Sequence, residues 1–133
     1  MVIDTSVLVA LLLNEADAGR MAAAIELASV RLLSAASFLE TAIVIETRKG
    51  EIGGRELELL LYRASIEVAP VDHDQAEIAR RAWRQFGKGR HRAGLNYGDC
   101  FAYALARQRR LPLLFTGDDF ARTDCPRSIL GSQ

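Results

Sequence analysis

Short apolar segments alternate with longer helix-compatible segments along almost the whole chain, and this alternation restricts the fold more than any other feature. Strands are predicted at residues 1–3, 31–33, 66–71 and 111–115. Helices are predicted at residues 7–13, 20–29, 37–49, 55–64, 73–86 and 97–109. Because alternating strands and helices favour parallel pairing, the sequence predicts an α/β protein whose largely parallel sheet carries helices on both faces.

Capping residues and glycines indicate where several helices begin and end. Thr5 or Ser6 is expected to cap the first helix. Gly50 fits the end of the third helix, and the pair Gly53 and Gly54 is expected to separate it from the fourth. Two helices joined by a tight turn are therefore predicted in this region.

Length and composition indicate one ordinary folded unit. A chain of 133 residues is long enough for one core, so a single domain over residues 1–133 is expected, and its zero net charge gives no overall sign of nucleic-acid binding. The apolar run at residues 7–13 is too short to cross a bilayer, and no basic segment precedes the first strand, so we expect a cytoplasmic protein without membrane contact. Cys100 and Cys125 lack metal-ligand spacing, and Cys100 is assigned to the core.

Carboxylates lie at the points where the chain is expected to change direction. Asp4 follows the first strand, Asp118 follows the last, Glu40 lies within a helix and Asp99 begins one. Ligands of parallel α/β proteins bind beyond the carboxyl ends of the strands, and hard cations such as Mg²⁺ prefer oxygen ligands. Carboxylates brought together there would repel one another unless a cation neutralised them. The joint pattern therefore predicts a metal site.

Each acid also has an ordinary structural explanation. Asp4 can cap the first helix, and Glu40 completes an S-x-x-E capping box that begins at Ser37. Asp99 can be a first-turn acid that interacts with the helix dipole, while Asp118 and the adjacent Asp119 can form a turn. Taken singly, the first two acids are better explained as caps.

Asp99 also lies on a helical stripe that is otherwise apolar. It is three residues before Ala102 and four before Tyr103, so all three share one face. That face is expected to point inward. An inward carboxylate needs a partner, which favours the metal interpretation over simple capping.

A basic segment lies between Glu77 and Asp99, where the sequence contains no acid. Its glycine-flanked part carries Lys88, Arg90 and Arg92, which we expect to contact RNA phosphates. The alternative is that the arginines of the preceding helix form a solvated face, as charge runs usually do.

Four motifs together resemble a known family, the PIN domain. They are Asp4-Thr5-Ser6 behind a short apolar strand, Glu40 within a helix, the segment 96–106 and the segment 113–118. Within that family the chain is similar to VapC toxins, the ribonuclease half of VapBC toxin-antitoxin pairs. The resemblance implies a three-layer α/β/α sandwich with a central, mainly parallel sheet, whose acidic site binds Mg²⁺ or Mn²⁺ and cleaves RNA.

The resemblance also implies roles for individual residues. Asp4 and Asp99 would be the main metal ligands, and Glu40 and Asp118 would complete the catalytic acids. Asp119 is an alternative to Asp118, because the two acids are adjacent here whereas many relatives separate them.

A metal-bound water removes the need for a nucleophilic side chain. Thr5, Ser6 and Thr116 are predicted to orient water or phosphate beside the metal. The family likeness further implies a VapB-like antitoxin that blocks the acids, and a homodimer. The helices at residues 37–64 offer docking surface, although Ile43 and Leu57 are more simply explained as core or dimer residues.

Two other functions remain open from the residues alone. An aspartyl phosphatase would use Asp4 as its nucleophile, but Ser6 occupies the place where haloacid dehalogenases carry a second acid. A catalytically silent RNA- or protein-binding module would use the acids only as caps and would have no affinity for metal.

Overall fold

The sheet at the centre of the structure is parallel, as the alternation of strands and helices predicts. A computed structural model describes residues 1–91, 93–117 and 123–124. The strands are β1 (Val2–Ile3), β2 (Leu32–Ser34), β3 (Glu67–Ala69) and β4 (Leu113–Leu114). They lie in the order β3-β2-β1-β4, and every pair of neighbours is parallel. β1 is therefore central, and its carboxyl end lies between those of β2 and β4.

Helices cover both faces of this sheet. They are α1 (Thr5–Leu12), α2 (Ala18–Leu27), α3 (Ala35–Lys49), α4 (Glu51–Arg63), α5 (His73–Phe86) and α6 (Tyr97–Arg109). Successive strand residues point to opposite faces. One core accordingly joins α5 and α6 to the strand residues Val2, Leu32 and Leu113. The other joins α1, α2 and α4 to Ile3, Leu33 and Leu114. The predicted three-layer α/β/α sandwich is confirmed.

The first helix is capped by Asp4, which confirms the capping role that the sequence allowed for this acid. α1 begins at Thr5, and its N-cap is Asp4, whose Oδ2 accepts a hydrogen bond from the backbone N–H of Ser6 at 3.0 Å. The expectation that Thr5 or Ser6 caps this helix is wrong. Both residues lie inside the first turn, because the chain turns from strand to helix directly at Asp4.

The beginning of α3 differs from the predicted one, and this changes the interpretation of Glu40. The helix starts two residues earlier than predicted, with Ser34 as its N-cap accepting from the N–H of Ala36 at 3.3 Å. Ser37 is therefore inside the helix, and the predicted capping box formed by Ser37 and Glu40 is wrong. Glu40 lies in the second turn, where it serves no cap.

The predicted break at Gly53 and Gly54 is also wrong. The turn between α3 and α4 is made by Gly50 alone, whose positive φ of 69° ends one helix immediately before the next begins at Glu51. Gly53 and Gly54 lie inside α4. A Cβ at Gly53 would lie 2.6 Å from Ile45 Cγ2, so this glycine allows α4 to pack closely against α3.

The two helices that precede the last strand match the prediction. α5 is capped by Asp72 and ends at Gly87, while α6 is capped by Asn96. Between them the chain forms a hydrogen-bonded turn, in which the Lys88 N–H donates to the Leu95 carbonyl at 2.8 Å and the Leu95 N–H donates to the Phe86 carbonyl at 2.9 Å. Backbone hydrogen bonds thus hold the two ends of this connection, Lys88 and Leu95, together.

The apolar residues of α3 and α4 divide between core and surface. Leu57 and Leu61 are buried, whereas Ile43 is 58% exposed. Cys100 is buried, as predicted, and Cys125 lies outside the described residues. Within the described ranges no helix combines the length and hydrophobicity that a membrane span requires. The assignment of residues 1–133 to one domain stays a prediction.

The two glycines of α4 provide a test of how closely α3 and α4 pack. We expect Gly53→Ala to lower the free energy of unfolding by about 1–3 kcal/mol, because the new methyl group overpacks the contact with Ile45. Urea unfolding would measure the change. Gly54→Ala is the matched control, since its Cβ would meet only the flexible end of Glu46 and alanine improves helix propensity. Equal losses of stability in both variants would contradict the close packing.

Candidate active site

Asp4 is a buried carboxylate at the carboxyl end of the central strand. Its backbone N–H donates to the Leu114 carbonyl at 3.0 Å, which ties the end of β1 to the end of β4. Burial raises the pKa of the Asp4 side chain, and the negative charge of Glu40 raises it further, while hydrogen bonds from Ser6 and Thr5 act in the opposite direction. Two acids from separate segments are therefore within electrostatic reach of each other.

Glu40 reaches from α3 to the first turn of α6. A methyl group at position 98 would lie 2.5 Å from the Oε2 atom of Glu40, so the Glu40 carboxylate would have to move away if any other residue replaced Gly98. Gly98 immediately precedes Asp99. The Glu40 carboxylate thus lies against the helical turn that carries Asp99, and its charge contributes to the raised pKa of Asp4.

Asp99 has the capping geometry that its sequence position permits. Its Oδ2 accepts from the Asn96 N–H at 3.0 Å, and Asn96 Oδ1 accepts in return from the Asp99 N–H at 2.9 Å, which completes a capping box. Asp99 is half-buried, and Ala102 and Tyr103 on the same helical stripe are buried. The inward direction of this stripe is confirmed. Capping does not exclude ligation, because a carboxylate has two oxygens that accept.

Ser6 links Asp4 to the chain that follows the last strand. Its hydroxyl oxygen accepts from the Thr116 N–H at 3.1 Å, and the same residue hydrogen-bonds to Asp4. The segment that leads to Asp118 is therefore tied to Ser6 at Thr116. Asp118 and Asp119 lie outside the described residues.

A set of buried polar groups joins α1 to α3 at Thr5, the residue that follows Asp4. The Thr5 hydroxyl donates to the Ser37 carbonyl at 3.2 Å, and Thr41 Oγ1 lies 3.1 Å from Thr5 Oγ1 and 2.7 Å from the same carbonyl. The buried Ser37 hydroxyl has no hydrogen-bond partner among the described residues. Thr5 thus holds α3 against α1, which positions the turn of α3 that carries Glu40.

The carboxylate oxygens of Asp4, Glu40 and Asp99 are ligands of the type that a hard cation prefers. Within the described ranges no salt bridge joins Asp4 or Glu40 to a lysine or arginine. A divalent cation would offset the repulsion and the desolvation that raise the pKa of Asp4. No cluster of three or more potential metal ligands is found among these same residues, so the complete ligand set stays a prediction.

The other candidate nucleophiles of the described chain are occupied or inactivated. Burial and the nearby charge of Asp99 raise the pKa of Cys100 to about 11, so this thiol stays protonated at neutral pH. His91 Nδ1 accepts from the Ala93 N–H at 2.9 Å, and its ring packs edge-on against Phe86. His73 is exposed and lies 3.7 Å from Glu77. A side-chain nucleophile receives no support from these contacts.

Two of the predicted RNA-binding residues, Lys88 and Arg90, lie beside α5 and α6. Lys88 lines a cavity between these helices together with Asn96. The Arg90 guanidinium lies 4.6 Å from the centre of the Trp83 ring, and its Nε donates to the Arg84 carbonyl at 3.4 Å. Arg92 lies outside the described residues. Arg90 therefore has a structural role in addition to its predicted phosphate contact.

Two features of the site were missed by the sequence interpretation. The first is the close approach of Glu40 to Gly98, and the second is the bridge that Ser6 makes to Thr116. Gly98 carries a recognisable signal, because glycine is a poor helix former and its presence in a first turn indicates a packing requirement. The bridge depends on a serine and a backbone N–H that no local pattern connects.

The parallel sheet and the acids at its carboxyl edge define an α/β protein with an acidic site beyond the sheet. A model of the PIN domain family matches residues 1–125. Ribonuclease VapC30 of Mycobacterium tuberculosis is 61% identical over 124 residues, covering 93% of this chain and 95% of the relative. Ribonuclease VapC of Mycolicibacterium smegmatis is also 61% identical, with 93% and 96% covered. The chain belongs to the PIN-domain family and, within it, to the VapC ribonucleases.

A solved structure has the same fold. The crystal structure of Mycobacterium tuberculosis VapC20, named there as a sarcin-ricin loop cleaving toxin, matches with a TM-score of 0.76 and covers 93% of this chain and 95% of its own. Its sequence identity is 19%, so the similarity concerns the fold.

The burial of Asp4 predicts an effect on stability that does not require RNA. Burial in the folded protein disfavours the charged form of Asp4. We therefore expect Asp4→Asn to raise the free energy of unfolding by about 1 kcal/mol in metal-free buffer at neutral pH. Urea unfolding with a chelator would measure this. The matched control is Asp72→Asn, another aspartate N-cap that is exposed, which should change stability by less than about 0.5 kcal/mol. A loss of stability in Asp4→Asn alone would contradict the prediction.

Proposed function

We propose that this chain is a metal-dependent endoribonuclease that acts as the toxin of a toxin-antitoxin pair. The VapC relatives support RNA hydrolysis as the reaction. One observation supports the site: the Glu40 carboxylate lies against Gly98, the residue before Asp99, and its charge contributes to the raised pKa of the buried Asp4. These acids, without a paired lysine or arginine at Asp4 or Glu40 in the described ranges, suit a divalent cation and the phosphodiester that it would bind.

Each residue then has a defined part in the reaction. A bound Mg²⁺ or Mn²⁺ ion would supply an activated water and neutralise charge on the phosphate oxygens and the leaving oxygen. Asp4 and Asp99 would be its principal ligands, and Glu40 with Asp118 or Asp119 would complete the site directly or through water. Ser6 and Thr116 would hold the two strand ends at a constant distance, and Thr5 would position α3.

The two alternative functions explain the contacts less well. If the acids were only caps, Glu40 would be expected at a helix terminus, but it lies in the second turn of α3. If Asp4 were the nucleophile of a haloacid-dehalogenase-type phosphatase, a second acid would be expected two residues later. Ser6 occupies that position, and its hydroxyl group accepts from the Thr116 N–H.

The partners of the proposed enzyme follow from its charge and its family. The substrate would be RNA, and a VapB-like antitoxin would inhibit it by covering the acids, for which an arginine side chain is suited. The exposed apolar side chains of α3 and α4, including Ile43 and Ile52, would supply surface for the antitoxin or for a second copy of the chain in a homodimer. We expect the protein to act in the cytoplasm.

Charge removal at the proposed ligands tests the mechanism. We expect Asp4→Asn and Asp99→Asn each to lower kcat/KM for RNA cleavage by more than about 100-fold, since even the outer partners of metal ligands commonly contribute 10- to 100-fold. Asparagine can still accept the capping hydrogen bonds, so the helices should form normally. Cleavage of total RNA across a Mn²⁺ titration, with and without chelator, would measure the effect.

The control for these variants is Asp72→Asn, which alters a helix cap remote from the proposed ligands in sequence. It should retain the activity of the unsubstituted protein. Undiminished cleavage by Asp4→Asn or Asp99→Asn, or full cleavage in the presence of chelator, would refute the assignment of these acids to a metal.

The positive charge of the basic segment predicts that RNA binding depends on salt concentration. Lys88→Gln should reduce the slope of log affinity against log salt concentration by about one, because one phosphate contact is lost. Lys49→Gln is the control, since Lys49 is already paired with Glu56 at 3.0 Å. Binding of single-stranded RNA, measured at several salt concentrations, would show the difference. Identical slopes for Lys88→Gln and the unsubstituted protein would remove Lys88 from the RNA contact surface.

A further inference from the structure

A cavity of about 650 Å³ lies between α5 and α6, and the proposed cleavage chemistry makes no use of it. Its walls are apolar and partly aromatic, with Trp83 from α5 and Phe101 from α6 facing the same space as Leu95. Tyr97 lies at its opening and packs edge-on against Phe101 at 4.9 Å. Trp83 is 45% exposed and Tyr97 is 81% exposed, so two large aromatic side chains remain accessible to a ligand.

The charge around this cavity is positive. Lys88 and Arg80 line it, and none of its lining residues is acidic, although Arg80 is paired with Glu77 at 3.0 Å. The Arg90 guanidinium lies over the Trp83 ring at 4.6 Å, which helps to hold the indole in place. Aromatic surfaces bordered by cations are the combination that single-stranded nucleic acids require, because bases stack on the rings while the cations contact phosphates. A purely apolar protein segment would not need these cations.

The cavity adjoins the acidic site through the first turn of α6. Asn96 and Tyr97 line the cavity, and the next two residues of the chain are Gly98, which contacts Glu40, and Asp99. A smaller cavity of about 320 Å³ contains Glu40 and Gly98 and shares Tyr97 and Phe101 with the larger one. An RNA strand with a phosphate at the acids therefore has a neighbouring nucleotide within reach of the aromatic cavity.

We propose that this cavity binds an unpaired base of the RNA substrate beside the phosphate that is cut. The base stacks on Tyr97 and contacts Trp83, and Lys88 contacts an adjoining phosphate. This inference rests on the proposed ribonuclease function and adds a specificity site to it. A base held in this position would favour RNA with an unstacked nucleotide next to the cleaved bond over continuous duplex.

The fluorescence of Trp83 offers a direct test, because it is the only tryptophan in the chain. The full-length Asp4→Asn protein, in chelator, would be titrated with a short single-stranded RNA, with the same strand lacking its bases, and with a duplex of the same sequence. We expect the base-containing single strand to change the Trp83 emission and the other two to change it little. The readout does not depend on cleavage or on a bound metal.

A second measurement separates stacking from general attraction. Tyr97→Ala should weaken binding of the single strand about 10- to 100-fold, the range expected for loss of one stacked base. The matched control is Tyr62→Ala, which removes a tyrosine of similar exposure, 83%, from α4. Its affinity should stay within about twofold of the unsubstituted protein, as expected for a residue that makes no contact with the RNA.

The outcomes distinguish this inference from the proposed function. If the unsubstituted protein cleaves the RNA with Mn²⁺ but Trp83 emission does not depend on the bases, the stacking site is refuted and the nuclease assignment stands. The stacking site is likewise refuted if Tyr97→Ala binds the single strand as well as Tyr62→Ala does. A base-dependent signal from a protein that cleaves no RNA with any divalent metal would refute the proposed function instead.

Discussion

A carboxylate buried at the end of the central strand is the constraint on which the rest of this structure depends. Asp4 caps α1, ends β1 and is bonded to Ser6, so it cannot move away from the interior without loss of local structure. Its burial next to another acid is unfavourable for the folded protein by itself. The cation of the proposed function would offset that cost.

The fold maintains this arrangement through connections between segments that are distant in sequence. The hydrogen bond between Asp4 and Leu114 joins neighbouring strands, and Ser6 continues the link to Thr116. On the other side, the Thr5 contact to Ser37 holds α3 close to α1. The strands contain only two or three residues each. These polar contacts therefore do much to fix the positions of the strand ends and of α3 at the carboxyl edge of the sheet.

Local sequence patterns are sufficient for some features of this fold and insufficient for others. The order of elements, the parallel sheet and the bounds of α6 could be predicted, because alternation, apolar periodicity and the Asn96 cap are encoded within short segments. The start of α4 could not be predicted in this way. Gly53 looks like a helix breaker in isolation, and only its contact with Ile45 explains why the glycine lies within a helix. The S-x-x-E pattern at Glu40 misled for a related reason, since Ser34 begins the helix earlier.

The sequence by itself determined which acids were candidates and which family the chain resembles, because these depend on residue types and their order. Tertiary structure decided that Glu40 lies against Gly98 and within electrostatic reach of Asp4, and that Trp83 and Tyr97 line one cavity. These relations join residues on different helices. Their distances depend on how the helices pack on the sheet, and no spacing along the chain specifies that packing.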